Sequence, residues 1–257
     1  MSHERPRQFS FEIRRAMSVL PNLFTLGNLF CGFLAVVVCL DPLEDAVPRA
    51  ALAICFGAFF DLADGRVARM TQSESALGEQ LDSLSDIVTF GLAPAFVLYR
   101  WCLADQGALG VISAFAFLAA GALRLARYNV LSHDDSHEEG PDTHFLGLPI
   151  PLSASIMVSV ILASTPDPAP SLGGVTTALL LPVGLGGLMV STVRFRTFKD
   201  IRGRRLALHL AFGTTVVLLV ATVSSIPAGF LFLFAGYVAL SLLEAAHRSL
   251  RRAPSLS

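Results

Sequence analysis

Eight blocks of apolar sequence, each about as long as a bilayer is thick, leave this chain few folds to adopt. They run at about 20–40, 48–70, 79–101, 107–128, 146–165, 171–193, 206–224 and 227–246. A hydrocarbon core of ~30 Å takes about 20 apolar residues of α-helix, and every backbone polar group inside it must be satisfied internally. The blocks are continuous rather than alternating with period two, which favours helical spans over a barrel. With 53% hydrophobic and 15% charged residues in 257, and a mean hydropathy of +0.62, the chain is too apolar for a soluble domain. The expectation is an all-α integral membrane protein with about eight transmembrane helices.

The basic residues give these spans an orientation. Arg5, Arg7, Arg14 and Arg15 precede the first block, Arg66 and Arg69 end the second, and Arg124 and Arg127 end the fourth. The link between the sixth and seventh holds Arg194, Arg196, Lys199, Arg202, Arg204 and Arg205, and the tail holds Arg248, Arg251 and Arg252. Eight spans put all of these on one side and leave Arg49 and Arg100 on the other. The positive-inside rule then places both termini in the cytoplasm. The expected organisation is an N-terminal cytoplasmic or interfacial segment (1–19), a single transmembrane domain (20–246) and a cytoplasmic tail (247–257). The N-terminus is polar for too long to be a cleaved signal peptide. It reads as an interfacial helix that Pro21 redirects into the first span. The basic link is topogenic and drawn to anionic lipid, and nothing points to nucleic acid. Cys31, Cys39, Cys55 and Cys102 lack metal or redox spacing and read as small packing residues. The polar link at 131–151, with His133, His137 and His144, reads as a solvated loop.

Against this apolar background stand four aspartates, Asp61, Asp64, Asp82 and Asp86. An ionised Asp at bilayer depth costs on the order of 3 kcal/mol by insertion scales and more by simulation. Four of them persist only if something neutralises them, and divalent metal is the economical candidate. Asp61 and Asp64 are i, i+3 and share a helix face; Gly78, Asp82 and Asp86 are i, i+4, i+8 and share another. Two helices presenting paired carboxylates to each other form a cage for two hard cations, an arrangement suited to in-line displacement at phosphorus. An all-oxygen donor set fits Mg²⁺ or Mn²⁺, whereas zinc would recruit His or Cys. A solvated acidic loop is the simpler alternative, disfavoured by carboxylates in register on two apolar helices. A divalent-cation transporter is another, but spans five to eight offer no midspan carboxylate to continue an ion path.

The order D-x2-D-G-x2-A-R-x8-G-x3-D-x3-D, met at Asp61, Asp64, Gly65, Ala68, Arg69, Gly78, Asp82 and Asp86, resembles the signature of the CDP-alcohol phosphotransferases. The stretches PNLFTLGNLFCGFLAV, RLARYNV and FLGLPIP resemble the serine-accepting branch of that family. The resemblance implies the family's helical membrane fold and transfer of a phosphatidyl group from CDP-diacylglycerol to L-serine, with release of CMP. It implies that Asp61, Asp64 and Asp82 hold one divalent cation and Asp61, Asp82 and Asp86 a second, with Asp86 also the general base. By the same resemblance Gly65 and Ala68 let the CDP-lipid lie close to the helix, Arg69 faces its phosphates or buttresses an Asp, and Gly78 gives clearance. A homodimer is implied too, in what is expected to be a bacterial inner membrane, with the active site facing the cytoplasm.

Weaker signals surround this motif. Thr25 and Asn28, early in the first span, either hydrogen-bond the nucleotide or join helices. Arg124 and Arg127, with Asn129, either bind the serine carboxylate or a lipid phosphate, or anchor a helix end. The metal site reads only the shared pyrophosphate. Glycerol phosphate, inositol phosphate and choline therefore stand as alternative acceptors.

Overall fold

The structure is a computed structural model, and it describes residues 5–71, 73, 75–132, 144–165, 174–196 and 225–252. The chain forms two compact units, Met1–Val97 and Leu98–Ser257, taken in turn.

The first unit is built from α1 (Arg5–Cys39), α2 (Ala46–Thr71) and α3 (Ala76–Asp86). Beyond α3 a π-helical stretch, Ile87–Leu92, leads into α4 (Ala93–Leu98). Small residues line the α1–α2 contact: Ala35 on α1, and Ala50, Ala51, Ala53 and Gly57 on α2, are buried. Large apolar side chains point away, with Phe30, Phe33, Phe56 and Phe59 all exposed. This inverts the packing of a soluble domain. Lipid tails are as apolar as leucine, so membrane helices associate through close backbone approach, and large side chains face the lipid.

Two sequence expectations change here. Pro21 does not redirect the chain, because α1 runs through it as one 35-residue helix. The ring removes one N–H, and such losses are tolerated in membrane helices where neighbouring Ser or Thr side chains serve the backbone. One turn further on, the Thr25 hydroxyl adds a bond to the Pro21 carbonyl at 3.1 Å. The π stretch, where the Ala93 N–H reaches back to the Val88 carbonyl, was not expected at all. Pro94 explains it, because an α-helical proline clashes with the carbonyl four residues back, here that of Phe90, and a widened turn relieves the clash. At the other end, Ser75 caps α3 by accepting from the Gly78 N–H at 3.1 Å, a bond of the kind worth about 1 kcal/mol.

In the second unit a further π stretch, Tyr99–Leu103, and a short 3₁₀ turn, Ala104–Gln106, precede α5 (Gly107–Ser132). Then follow β1 (His144–Leu146), α6 (Ile150–Ser164), α7 (Gly174–Val190), β2 (Arg194–Arg196) and α8 (Ile226–Arg252). Gly107 takes a φ of 55° at the corner before α5, a conformation glycine adopts without strain. Gly186 brings α7 close to Ala116 and Ala120 of α5, and the Ser113 hydroxyl donates to the Leu179 carbonyl. α6 packs on α8. The strands pair antiparallel, His144 opposite Arg196 and Leu146 opposite Arg194, so the fold is not strictly all-α.

Among the described residues four helical stretches are long and apolar enough to cross a membrane: Leu20–Cys39, Ala46–Thr71, Ala76–Leu131 and Ile226–Leu243. The third has 56 residues, ~84 Å at 1.5 Å per residue, and so holds more than one crossing of a ~30 Å core. The blocks expected at 79–101 and 107–128 both fall within it, divided at Gly107. α6 and α7, with 15 and 17 residues, are shorter than the blocks expected there. Residues 144–146 go into β1, and Gly147, with a φ of 74°, and Pro149 delay α6 until Ile150. The block expected at 206–224, and His133, His137 and 197–205, lie outside the described residues.

Candidate metal centre

Three helices of the first unit each present a stripe of small and polar residues at helical spacing, and the stripes converge. On α2 the stripe is Gly57, Asp61, Asp64 and Ala68. On α3 and the π stretch it is Gly78, Asp82, Ser85, Asp86 and Thr89. On α1 it is Thr25, Asn28 and Gly32. Apart from the adjacent Ser85 and Asp86, successive members stand three or four residues apart, which places them on one face.

Asp61, Asp64 and Asp82 each offer a carboxylate oxygen, and these atoms lie within 4.8 Å of one another. Oxygens around one divalent ion stand ~3 Å apart when adjacent and ~4–5 Å apart when opposite, given metal–oxygen bonds of about 2.0–2.6 Å. The cluster is on that scale. Asp86 joins it through Asp61, the two carboxyl groups meeting at hydrogen-bonding range. Asp64 is buried, with its Oδ2 lacking any hydrogen-bond partner, while the Thr25 hydroxyl and the Gly65 N–H face its carboxyl group. Among the described residues no Lys or Arg is ion-paired with any of the four; the pair found is Arg49 with Asp45, at the far end of α2 and just before it. Clustered, part-buried carboxylates with no cationic side chain and one orphaned oxygen fit a hard divalent cation.

The remaining motif residues have distinct surroundings. A side chain at Gly65 would meet only the Arg69 guanidinium, at 3.5 Å, so the space beside α2 is open there. Arg69 is exposed, and among the described residues no ion pair joins it to an Asp. Gly78 lies close to Asn22 on α1, whose Oδ1 would be 3.4 Å from an added Cβ. Asn28 is wholly buried, its amide donating to Asp86 Oδ1 at 3.4 Å.

Thr89, Gly32 and Gly57 belong to this site as well, though no motif singled them out. A Cβ on Gly32 would sit 2.7 Å from the Thr89 Cα, and one on Gly57 would sit 2.5 Å from the Thr89 methyl. Thr89 is thus clamped between α1 and α2, three residues past Asp86. The signal was present in the spacing: Gly57 precedes Asp61 by one turn, and Gly32 follows Asn28 by one turn.

Arg124, Arg127 and Asn129 belong to the second unit, on α5. The Arg127 guanidinium donates to three backbone carbonyls, Val190 at 3.1 Å, Leu146 at 3.4 Å and Ser191 at 3.5 Å. It joins the end of α7 to β1, a favourable task for a cation because helix C-termini expose unpaired carbonyls. The Gly147 and Leu148 N–H groups bond the Val193 and Leu188 carbonyls in the same junction. The FLGLPIP stretch is therefore a structural joint in this unit. Arg124 is half-buried one turn earlier.

Long apolar helices that turn large side chains outward, and gather carboxylates on their inner faces, define a helical membrane protein with an acidic, cation-suited centre. Residues 18–186 match the family described as CDP-alcohol phosphatidyltransferase, and the chain belongs to it. The chain is 34% identical over 186 residues to the CDP-diacylglycerol–serine O-phosphatidyltransferase of Bacillus subtilis, an alignment covering 71% of this chain and 93% of that one. The enzyme of the same name from Helicobacter pylori is 33% identical over 186 residues, covering 72% and 74%. That of Saccharomyces cerevisiae is 36% identical over 149 residues, covering 55% and 52%.

Proposed function

We propose that this protein transfers the phosphatidyl group of CDP-diacylglycerol to the hydroxyl of L-serine, giving phosphatidylserine and CMP. The observation that carries this reading is the convergence of Asp61, Asp64 and Asp82 within 4.8 Å, in a chain whose similar relatives carry that activity in their names.

The serine oxygen attacks the β-phosphorus, the bond from that phosphorus to the bridging oxygen breaks, and CMP leaves with the electron pair. Asp86 takes the proton of the attacking hydroxyl, which is too weakly acidic to ionise unaided. Asp61, Asp64 and Asp82 would hold one divalent cation and Asp61, Asp82 and Asp86 a second, Mg²⁺ or Mn²⁺, supplying positive charge to neutralise the pyrophosphate and the departing CMP. Gly65 and Ala68 leave room for the nucleotide against α2. Arg69, exposed beside Gly65, reaches its phosphates.

The topology belongs to the same proposal. Eight spans in a bacterial inner membrane, with both termini cytoplasmic, put the acidic centre within reach of water-borne serine and nucleotide. Residues 20–246 act as one catalytic domain, and the protein works as a homodimer.

Purified protein given CDP-diacylglycerol, Mn²⁺ or Mg²⁺, and a panel of alcohols, followed by CMP release, tests the reaction. Serine should release CMP well above the water background. If serine matches water while glycerol phosphate, inositol phosphate or choline does not, the acceptor is wrong and the phosphatidyl transfer stands.

A further inference from the structure

Among the described residues α1 supplies no carboxylate to the acidic centre, yet it is bonded three times to the segment that carries Asp86. The Ser85 hydroxyl donates to the Thr25 carbonyl at 3.0 Å, and the Thr89 hydroxyl donates to the Asn28 carbonyl at 2.8 Å. Between these two rungs the Asn28 amide donates to Asp86 Oδ1 at 3.4 Å. Ser85, Thr89 and Asn28 are wholly buried. The outer rungs end on the backbone of α1, so they fix the height and rotation of the segment. The middle rung acts on the carboxyl group itself.

The Asn28 side chain has one workable orientation. Its Oδ1 has no hydrogen-bond partner and points at Gly57, where an added Cβ would stand 3.0 Å away. Turning the amide over would set this oxygen against an Asp86 oxygen and lose the bond. A side chain so enclosed is poorly placed to touch a nucleotide. An Asp carboxyl turns broadly about its last torsion, with a roughly two-fold preference, so without the Asn28 bond the orientation of Asp86 would depend on its contact with Asp61 alone.

We propose that Asn28 is a positioning residue for Asp86. By donating to Oδ1 it fixes the plane of the carboxyl group that receives the proton of the acceptor hydroxyl. This rests on the reading of Asp86 as the general base. The bond is long for a charge-assisted contact, and such bonds commonly tighten when substrate binds.

The test is a double-mutant cycle on the full-length protein in detergent, with Asn28→Ala, Asp86→Asn and the pair together, followed by CMP release. Asn28→Ala should lower kcat about 10-fold or more while KM for CDP-diacylglycerol stays within about two-fold, the pattern of an interaction that matters in the transition state. The pair should be no slower than Asp86→Asn alone, because residues acting as a unit are not additive. Mn²⁺ binding, titrated by electron paramagnetic resonance, should persist in Asn28→Ala. Should that variant not fold, Asn28→Asp, which fills the same space without an amide donor, takes its place. Effects that multiply in the pair would overturn the tether alone. So would a raised KM for CDP-diacylglycerol at unchanged kcat, which would mark a nucleotide contact. Near-normal turnover in Asp86→Asn would instead remove the base reading beneath it.

Discussion

Asp86 and Asp64 sit in one cluster with different partners. Asp64 is buried with an orphaned oxygen and faces Thr25, the situation of a group that needs a cation. Asp86 is tethered by Asn28 and meets Asp61, the situation of a group held for proton transfer. Asp86→Asn is expected to keep nucleotide binding and lose turnover by about 10²-fold or more, the usual scale for a lost base; equilibrium binding of a CDP-lipid analogue alongside CMP release checks both halves. Asp64→Asn should weaken Mn²⁺ binding itself. At this scale the sequence was most informative, because carboxylates on apolar helices have few explanations and their spacing gave the face. Arg127 shows the limit. A basic residue at a helix end was evident, but its carbonyl partners at 146, 190 and 191 are distant in the chain, so no local pattern announced them.

Among the elements, the close approach of α1, α2 and the π stretch depends on two missing side chains. Gly32→Ala would drive a methyl group into the Thr89 backbone. Overpacking of this kind costs about 1–3 kcal/mol, and here it would also shift the segment bearing Asp86. The expected result is a lower melting temperature in detergent together with lost turnover. Gly184→Ala in α7 is the contrasting case, since nothing lies within 4 Å of the added Cβ. Alanine's helix propensity should leave that variant unchanged or stabilised by up to ~1 kcal/mol. Helix positions were readable from the apolar blocks, while their ends were less so. α6 starts late because Gly147 turns through positive φ and β1 takes residues 144–146, choices made by the pairing with 194–196. Pro21 was read as a break because a proline inside a soluble helix usually is one.

For the molecule as a whole, four neighbouring carboxylates without a cationic partner among the described residues tie stability to metal. A ligand that binds only the folded state at 100 times its Kd adds about 2.7 kcal/mol. Chelation by EDTA should therefore abolish CMP release and lower the melting temperature, and Mg²⁺ or Mn²⁺ should restore both. Full turnover after exhaustive chelation would sink the metal reading. The small-residue contact between α1 and α2, with Phe30, Phe33, Phe56 and Phe59 turned outward, was implicit in the composition. Which small residues meet which neighbours was not, because a hydropathy profile counts residues without saying which way they face.

The widened turn at Ile87–Leu92 has a consequence for numbering along its own helix. Each hydrogen-bonded loop there encloses one residue more than an α-helical loop, and one residue corresponds to ~100° of rotation. A helical wheel drawn forward from Asp82 and Asp86 therefore loses its phase before Ala93, and faces inferred from it beyond that point are turned by about a quarter of a circle. Removing a single residue from 88–92 should rewind the stretch to α geometry while leaving the side chains on both sides of it on their present faces. The extra residue works as a phase adjuster: it lets the chain before it be spaced for chemistry and the chain after it be spaced for packing.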